Sequence, residues 1–415
     1  MVKNLLFYKQ LISTKPQKSM KFSTKRLTLS AFAIICVAGA SAQTQTNNND
    51  KKINVVTSAV PFLRISPDTR SSGMGELGIA TSADANSGFW NMGKAAFIEK
   101  KGSIAATYTP WFKDLTLNDI YIATLGGIVK IDDKSAVTGS LKYFSLGNIQ
   151  FTDNLGNELQ SFRPREFAVD AGYSRKLNDK IGIGVSFRFI NSNLANGTIN
   201  GTTYKAGSTV SSDIGIYKHA KDGKGFAWGA TVSNLGGKIA YTTDKDKRDF
   251  IPANLGLGVT YTKQYDEQSK LTFGVDVNKL LVPTPPTFST TNGGPGTQAD
   301  SIKLVDYRKK GVVGSWFSSL GDAPQGFGEE MREFQLSIGA EYSYNNQFMF
   351  RAGYFYEDAT KGARKYFTLG AGVKYNTFGL NFAYLLPSGS GVNRNPLSNT
   401  MRFSLIFDFD GAETK

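Results

Sequence analysis

From Gly102 to Phe409, apolar and polar residues alternate with a period of two. That is the spacing of β-strands whose two faces meet different surroundings. Arg402–Phe409 is the clearest run: Phe403, Leu405, Phe407 and Phe409 share one face, and Arg402, Ser404, Ile406 and Asp408 the other. Ile181–Ile190 sets Ile181, Ile183, Val185, Phe187 and Phe189 against Gly182, Gly184, Ser186 and Arg188. Lys365–Tyr375 sets Phe367, Leu369, Ala371, Val373 and Tyr375 against Tyr366, Thr368, Gly370, Gly372 and Lys374. About fourteen such runs are present, at Gly102–Trp111, Asp119–Ile131, Ser135–Gly147, Arg165–Leu177, Ile181–Ser192, Gly207–Lys218, Gly225–Leu235, Asn254–Thr262, Lys270–Lys279, Phe334–Tyr344, Phe348–Tyr356, Lys365–Tyr375, Thr377–Leu385 and Thr400–Phe409. Most are near the ten or so residues that a tilted strand needs to cross a bilayer.

The connections alternate too. Asp132–Lys134, Asn178–Lys180, Asp222–Lys224, Tyr265–Ser269, Asn345–Gln347 and Asn376 are short turns. Between them lie the longer segments Phe112–Asn118, Asn148–Pro164, Asn193–Ala206, Gly236–Ala253, Leu280–Glu333, Glu357–Arg364 and Leu386–Asn399. Outer-membrane barrels place short turns on the periplasmic side and long loops outside, an order that a soluble sandwich has no reason to follow. The non-apolar faces carry Lys142, Asp170, Arg188, Asp213, Asp276, Glu341, Arg351, Arg402 and Asp408 among Gly, Ser and Thr. Such faces cannot fill a dry core without charge pairing, but they can line a wet or filled lumen. The apolar faces then meet lipid, where only a closed sheet satisfies the backbone. The predicted fold is all-β, a transmembrane antiparallel β-barrel of about 14 strands over residues 102–409. The last strand ends in alternating aromatics up to Phe409, like the signal that barrel-assembly machinery reads, and a short tail, 410–415, follows.

Before the barrel, Lys25-Arg26 precede the apolar run Leu27–Val37, and Ala40-Ser41-Ala42 follows. This predicts a signal peptide over 1–42, cleaved before Gln43, with Met20 as an alternative start. Residues 43–60 are expected to form a flexible N-terminal segment, with a polar stretch at Gln43–Lys52. The leader holds seven basic residues and no acid; removing them from the full chain's +14 leaves +7. That charge is modest for the length. With no basic stripe interleaved with aromatics, it gives no ground for nucleic-acid binding, whereas attraction to lipid and lipopolysaccharide head groups accounts for it. Cys36, the only cysteine, lies in the leader, and His219 is the only histidine. Disulfides and Cys or His-cluster metal sites are thereby excluded from the mature chain. No cofactor or metal is expected.

Residues 61–101 differ from everything after them. Pro61–Lys94 is rich in Gly, Ser, Ala and Asp; Gly73, Gly75 and Gly78 permit tight backbone paths, and Asp84, Asn86, Ser87 and Asn91 suit caps and turns. The stretch is too small-residue-rich to be a core of its own. Its glycine-rich start, followed by Asp84-Ala85-Asn86-Ser87 and Trp90-Asn91, resembles the N-terminal plug of FadL-type outer-membrane barrels; Met92-Gly93-Lys94 stands where that class usually has Pro-Ala-Gly. The longer run Ala59-Val60-Pro61-Phe62-Leu63-Arg64-Ile65-Ser66-Pro67-Asp68, with Arg70 and Gly73-Met74-Gly75, resembles the PorV family, the FadL-like barrels of the Bacteroidetes type IX secretion system. The resemblance implies an N-terminal plug over 61–101, carried by Pro61, Phe62, Arg64, Gly73, Gly75, Asp84, Asn86, Ser87, Trp90 and Asn91. It also implies a non-enzymatic shuttle that receives secreted cargo by its C-terminal signal domain from an SprA-type translocon. The cargo then passes to a PorU-type sortase and attachment complex. The N-terminus is expected in the periplasm and the long loops outside.

Candidate contact residues follow from the loops. Leu280–Glu333 is far longer than a hairpin needs, and long loops of this kind are commonly functional. Val312–Leu320 reads as one short helix carrying Val313, Trp316, Phe317 and Leu320, either a partner site or a cap packed on the barrel mouth. Trp111 and Phe112 end the first strand and read either as an interfacial aromatic girdle or as a further contact. Asp244–Asp249 interleaves acids with Lys245, Lys247 and Arg248, which suits a solvated loop tip better than a cation site. No G-x-S-x-G elbow is present, and His219 sits by Lys218 and Lys221, a poor setting for a catalytic base. Two rival functions stay open: a FadL-type transporter of hydrophobic small molecules, which needs an apolar pocket by the plug, and an outer-leaflet lipid deacylase, which needs His219 at the outer rim.

Overall fold

The computed structural model describes residues 53–111, 119–152, 155–199, 202–220, 223–244, 246–286, 288, 296–387 and 400–410. The expected signal peptide, residues 43–52, Phe112 and the tail beyond Asp410 lie outside the described residues. Fourteen strands close into a barrel. They are β1 (Gly102–Pro110), β2 (Ile120–Lys130), β3 (Ser135–Leu146), β4 (Arg165–Lys176), β5 (Ile181–Asn193), β6 (Gly207–Lys218), β7 (Gly225–Gly236), β8 (Asn254–Gln264), β9 (Ser269–Leu280), β10 (Gln335–Tyr344), β11 (Phe348–Tyr356), β12 (Lys365–Tyr375), β13 (Phe378–Pro387) and β14 (Met401–Phe409). Each pairs antiparallel with its sequence neighbours. β14 closes on β1, with Gly102 opposite Phe409 and Tyr108 opposite Phe403. One end of the barrel carries the short turns, where Asn345, Asn346 and Asn376 take the positive φ that tight hairpins require. The other end carries the long connections, three of which form two-stranded ribbons, such as Ile149–Thr152 with Glu158–Phe162.

The two faces separate as the alternation predicts. Phe187, Phe189, Leu369, Phe403, Leu405 and Phe407 point outward and are exposed, a lipid-facing band. Lys142, Asp170, Arg188, Asp213, Asp276, Glu341, Arg351 and Arg402 are buried inside. Five of the inward charges are paired: Arg188 bridges Asp170 and Asp213, and Arg351 bonds Glu341 at 2.7 Å and Asn381 at 2.7 Å; Lys142, Asp276 and Arg402 bond neutral groups instead.

Residues 61–98 fill the lumen between these faces. The segment contains two one-turn helices, α1 (Thr69–Ser72) and α2 (Ser87–Trp90), and 3-10 turns at Pro61–Arg64 and Met92–Phe97. Turn chemistry shapes it locally: Asp68 caps α1 by accepting from Ser71 N at 2.9 Å, and Asn91 accepts from Gly93 N at 2.9 Å. Inward glycines let its main chain lie directly on the wall. A Cβ on Gly339 or Gly353 would come within 3.0 Å of the Met74 backbone, and one on Gly182 or Gly184 would strike Gly93 or Met92. Gly75 adds a left-handed φ of 69° where it presses on Tyr354. Wall side chains satisfy the segment's polar groups. Asp276, fully buried, accepts from Gly78 N at 2.7 Å and Ile79 N at 2.8 Å, and Lys142 Nζ donates to Leu63 O at 3.1 Å and Ile65 O at 2.8 Å. Arg70 joins Glu341 on the wall to Asp84 within the segment.

The direction of the segment differs from expectation. Asn54 N donates to Thr360 O and Ala59 N to Phe250 O, both in long connections, whereas Lys101 O accepts from Lys130 N at the short-turn end. The described chain therefore starts at the long-loop mouth and descends the lumen. The expectation of an N-terminus on the side opposite the long loops does not describe Ile53–Ala59. The reason is packing: Val60 and Phe62 are held in an apolar cluster at the long-loop end.

Gly353→Val forces a branched side chain into the Met74–Gly75 backbone, an overpacking that costs at least about 1–3 kcal/mol. The variant is expected to lose the folded, heat-modifiable gel band at a lower temperature than the parent. Gly314→Val, in open space, should leave the transition unchanged.

Candidate functional site

The connection between β9 and β10 is pinned at both ends and open in its middle. It contains α3 (Gln298–Lys309), α4 (Val312–Ser318) and α5 (Phe327–Glu330). At its first half, Lys238 Nζ donates to Arg308 O at 2.6 Å and Lys310 O at 2.7 Å while lying over the Phe250 ring. Tyr307 packs edge-on against Phe250, and its hydroxyl donates to Pro283 O at 3.1 Å. Burial lowers the Lys238 pKa below that of an ordinary lysine, against the attraction of Asp249. Burial also raises the Asp322 carboxyl, although Thr284 donates to it.

The second half is fastened by a buried ion cluster. Lys279 reaches Glu330 and Glu333, each at 2.6 Å, and Lys361 reaches Glu329 at 2.6 Å and Glu333 at 2.8 Å. All five side chains are buried. Charges taken out of water in this way hold position only while each has its counter-charge.

Between these anchors α4 is inverted relative to a helix packed on a core. Ser315 and Ser319 face inward, with Ser319 wholly buried, while Phe317 is 72% exposed, Val313 59% and Leu320 48%. Ser315 reconciles its burial by donating to Gly311 O at 2.7 Å. Trp316 is half-buried beside them. Phe327, 79% exposed, and Met331 extend the apolar surface on α5 and just after it. The sequence analysis passed over these two; the available signal was apolar side chains in a segment otherwise made of Glu, Gly, Arg and Gln. An amphipathic helix packed on a core buries such residues, whereas here they lie exposed.

The other singled-out residues fall elsewhere. Trp111 is neither a girdle residue nor a rim contact. It is buried in the apolar cluster with Val60 and Phe62, and packs edge-on against Phe144 at 5.3 Å. The register that ends β1 turns it inward, onto the lumen segment. Pro61, Phe62, Arg64, Gly73, Gly75, Asp84, Asn86, Ser87, Trp90 and Asn91 all lie in the lumen. Trp90 Nε1 donates to Asp68 at 2.6 Å, and Asn91 ties Ile79 O to Ile216 O of β6. His219 lies at the short-turn end, stacked on Phe97 at 4.9 Å, far along the chain path from the outer connections.

A lumenal cavity of about 60 Å³ adjoins the segment. Its lining includes Arg64, Glu76, Lys142, Asp170, Arg188 and Asp213. It is polar, and its volume suits a few waters rather than a hydrocarbon.

The model of the type IX secretion system protein PorV matches residues 46–287. The chain belongs to the PorV family. Among solved structures, the P. putida toluene transporter TodX is 12% identical with a TM-score of 0.50, over 82% of this chain and 98% of that one. A Pseudomonas aeruginosa FadL homologue is 13% identical with a TM-score of 0.43, over 86% and 99%. At such identities the TodX likeness is one of fold: this PorV-family chain is a FadL-like outer-membrane barrel. A search of curated proteins found no match.

Two outcomes follow from this geometry. Lys361→Met leaves Glu329 without its counter-charge and Glu333 with only Lys279, a penalty of about 3–5 kcal/mol when a buried pair is broken. Limited proteolysis should then cut residues 296–334 faster, with the barrel band intact. Purified protein in a planar lipid bilayer should show no steady open-channel current, because the lumen is occupied by residues 61–98.

Proposed function

We propose that this PorV-family barrel is the cargo-binding shuttle of type IX secretion, with its long loops on the cell exterior and residues 61–101 acting as a fixed plug. It receives secreted proteins by their C-terminal signal domain from an SprA-type translocon and hands them to a PorU-type sortase and attachment complex. It performs no chemistry itself. The observation that carries this reading is the inverted helix α4, whose apolar face is turned away from the barrel while its serines are buried. An apolar face held out on a pinned loop suits capture of a folded protein domain, with rigid side chains forming the centre of the contact. The family assignment supplies the secretion context.

The lumen supports the same reading. A FadL-type transporter of hydrophobic molecules needs an apolar space beside the plug. The cavity here is small and lined by charged and polar side chains. The deacylase reading loses its base, since His219 sits at the short-turn end.

The test is an affinity pull-down of tagged protein from mild-detergent outer membranes, read by mass spectrometry. The parent should recover secreted proteins with uncleaved C-terminal signal domains, together with translocon or sortase partners. Val313→Asp combined with Phe317→Asp, or deletion of Val312–Leu320, should leave the barrel heat-modifiable. Cargo recovery should fall about 30-fold, as expected for losing a contact centre worth about 2 kcal/mol. Full recovery by these variants sinks the α4 assignment. Recovery of the parent barrel alone, with co-purified fatty acid, sinks the shuttle reading in favour of transport.

A further inference from the structure

We infer that the chain enters its own barrel from the outer mouth, so that Ile53–Ala59 is displayed at the cell exterior, at the same end of the barrel as the α4 surface. The inference rests on the proposed outward orientation of the long loops. Three observations carry it. The backbone amides at both ends of the stretch bond to long connections, Asn54 N to Thr360 O at 3.1 Å and Ala59 N to Phe250 O at 2.8 Å. The next residues, Val60 and Phe62, are fully buried at that mouth in the cluster with Trp111, Ile239 and Ile251. The far end of the segment is fixed at the opposite mouth, where Lys100 pairs with Asp410 and Lys101 O accepts from Lys130 N. The polypeptide therefore runs the full height of the lumen, from the long-loop mouth to the short-turn mouth, before β1 begins.

The stretch also borders the ion cluster that sets the loop. Thr360, which accepts from Asn54, is followed by Lys361, the partner of Glu329 and Glu333, and Glu329 lies in α5 two residues after the exposed Phe327. Ile53 is 76% exposed and Val55 is exposed as well.

The chain suits a direct test, because Cys36 is its only cysteine and lies in the leader. Single variants Ile53→Cys, Gly314→Cys in open space on α4, and Asp133→Cys on a short turn are expressed in cells and exposed to a membrane-impermeant maleimide, before and after outer-membrane permeabilisation. The expected result is labelling of Ile53→Cys and Gly314→Cys on intact cells, and of Asp133→Cys only after permeabilisation. Val55→Cys serves as the second position, and heat-modifiability on gels confirms folding of each variant. Labelling of Gly314→Cys but not of Ile53→Cys or Val55→Cys on intact cells overturns the inference and leaves the orientation standing. Labelling of Asp133→Cys on intact cells, with Gly314→Cys protected, overturns the orientation itself, and the outward display of Ile53 with it.

Discussion

Backbone pressed against backbone is the contact on which the rest of this molecule depends. Where Gly339, Gly353, Gly182 and Gly184 face inward, the wall offers no side chain, and Met74, Met92 and Gly93 lie directly on it. Such closeness leaves no room for solvent around the segment's amides and carbonyls, and a buried group left unpaired costs about 1–3 kcal/mol. The wall answers with placed polar groups: Asp276 for Gly78 and Ile79, Thr368 for Gly75, Lys142 for Leu63 and Ile65. Barrel and segment are thus one packed unit, and the inward face is selected for the segment as much as for closure of the sheet.

Charge has a second role at each level of the barrel. Within the lumen, Arg188 and Arg351 hold neighbouring strands together through Asp170, Asp213 and Glu341. At the mouth, Lys279 and Lys361 hold the outer connection through Glu329, Glu330 and Glu333. A separate chain of bonds runs from Arg64 of the lumen segment to Gln335 of β10, from Gln335 to Glu357, and from Glu357 to Arg364. Polar networks of this kind favour one arrangement strongly, because partial satisfaction is worse than none.

These constraints divide the molecule into a tightly packed interior and a long-loop end with exposed apolar side chains. A lumen packed by glycine contacts and paired charges is poorly suited to passing a solute. The long-loop end presents Phe317, Val313 and Phe327 on elements anchored to the barrel. Membership of the PorV family places the barrel in the type IX secretion system.

Much of the fold was legible in the chain itself. Period-two alternation set fourteen strands to within a few residues at their ends, and the inward charges were assigned to the correct face, because a strand's side chains alternate by geometry alone. The rhythm of short and long connections gave the closed, membrane-spanning class. The small-residue composition of Pro61–Lys94 marked a segment unable to form its own core. What tertiary structure alone decided was direction and partnership. Nothing local tells whether a segment enters a barrel from above or below; the seating of Val60 and Phe62 decides it. Trp111 looked like a rim aromatic until the register turned it inward. The inversion of α4 was equally hidden, because Ser315 and Ser319 are buried only through what the anchors on either side impose. Alternation is a property of one strand, whereas burial is a property of everything packed around it.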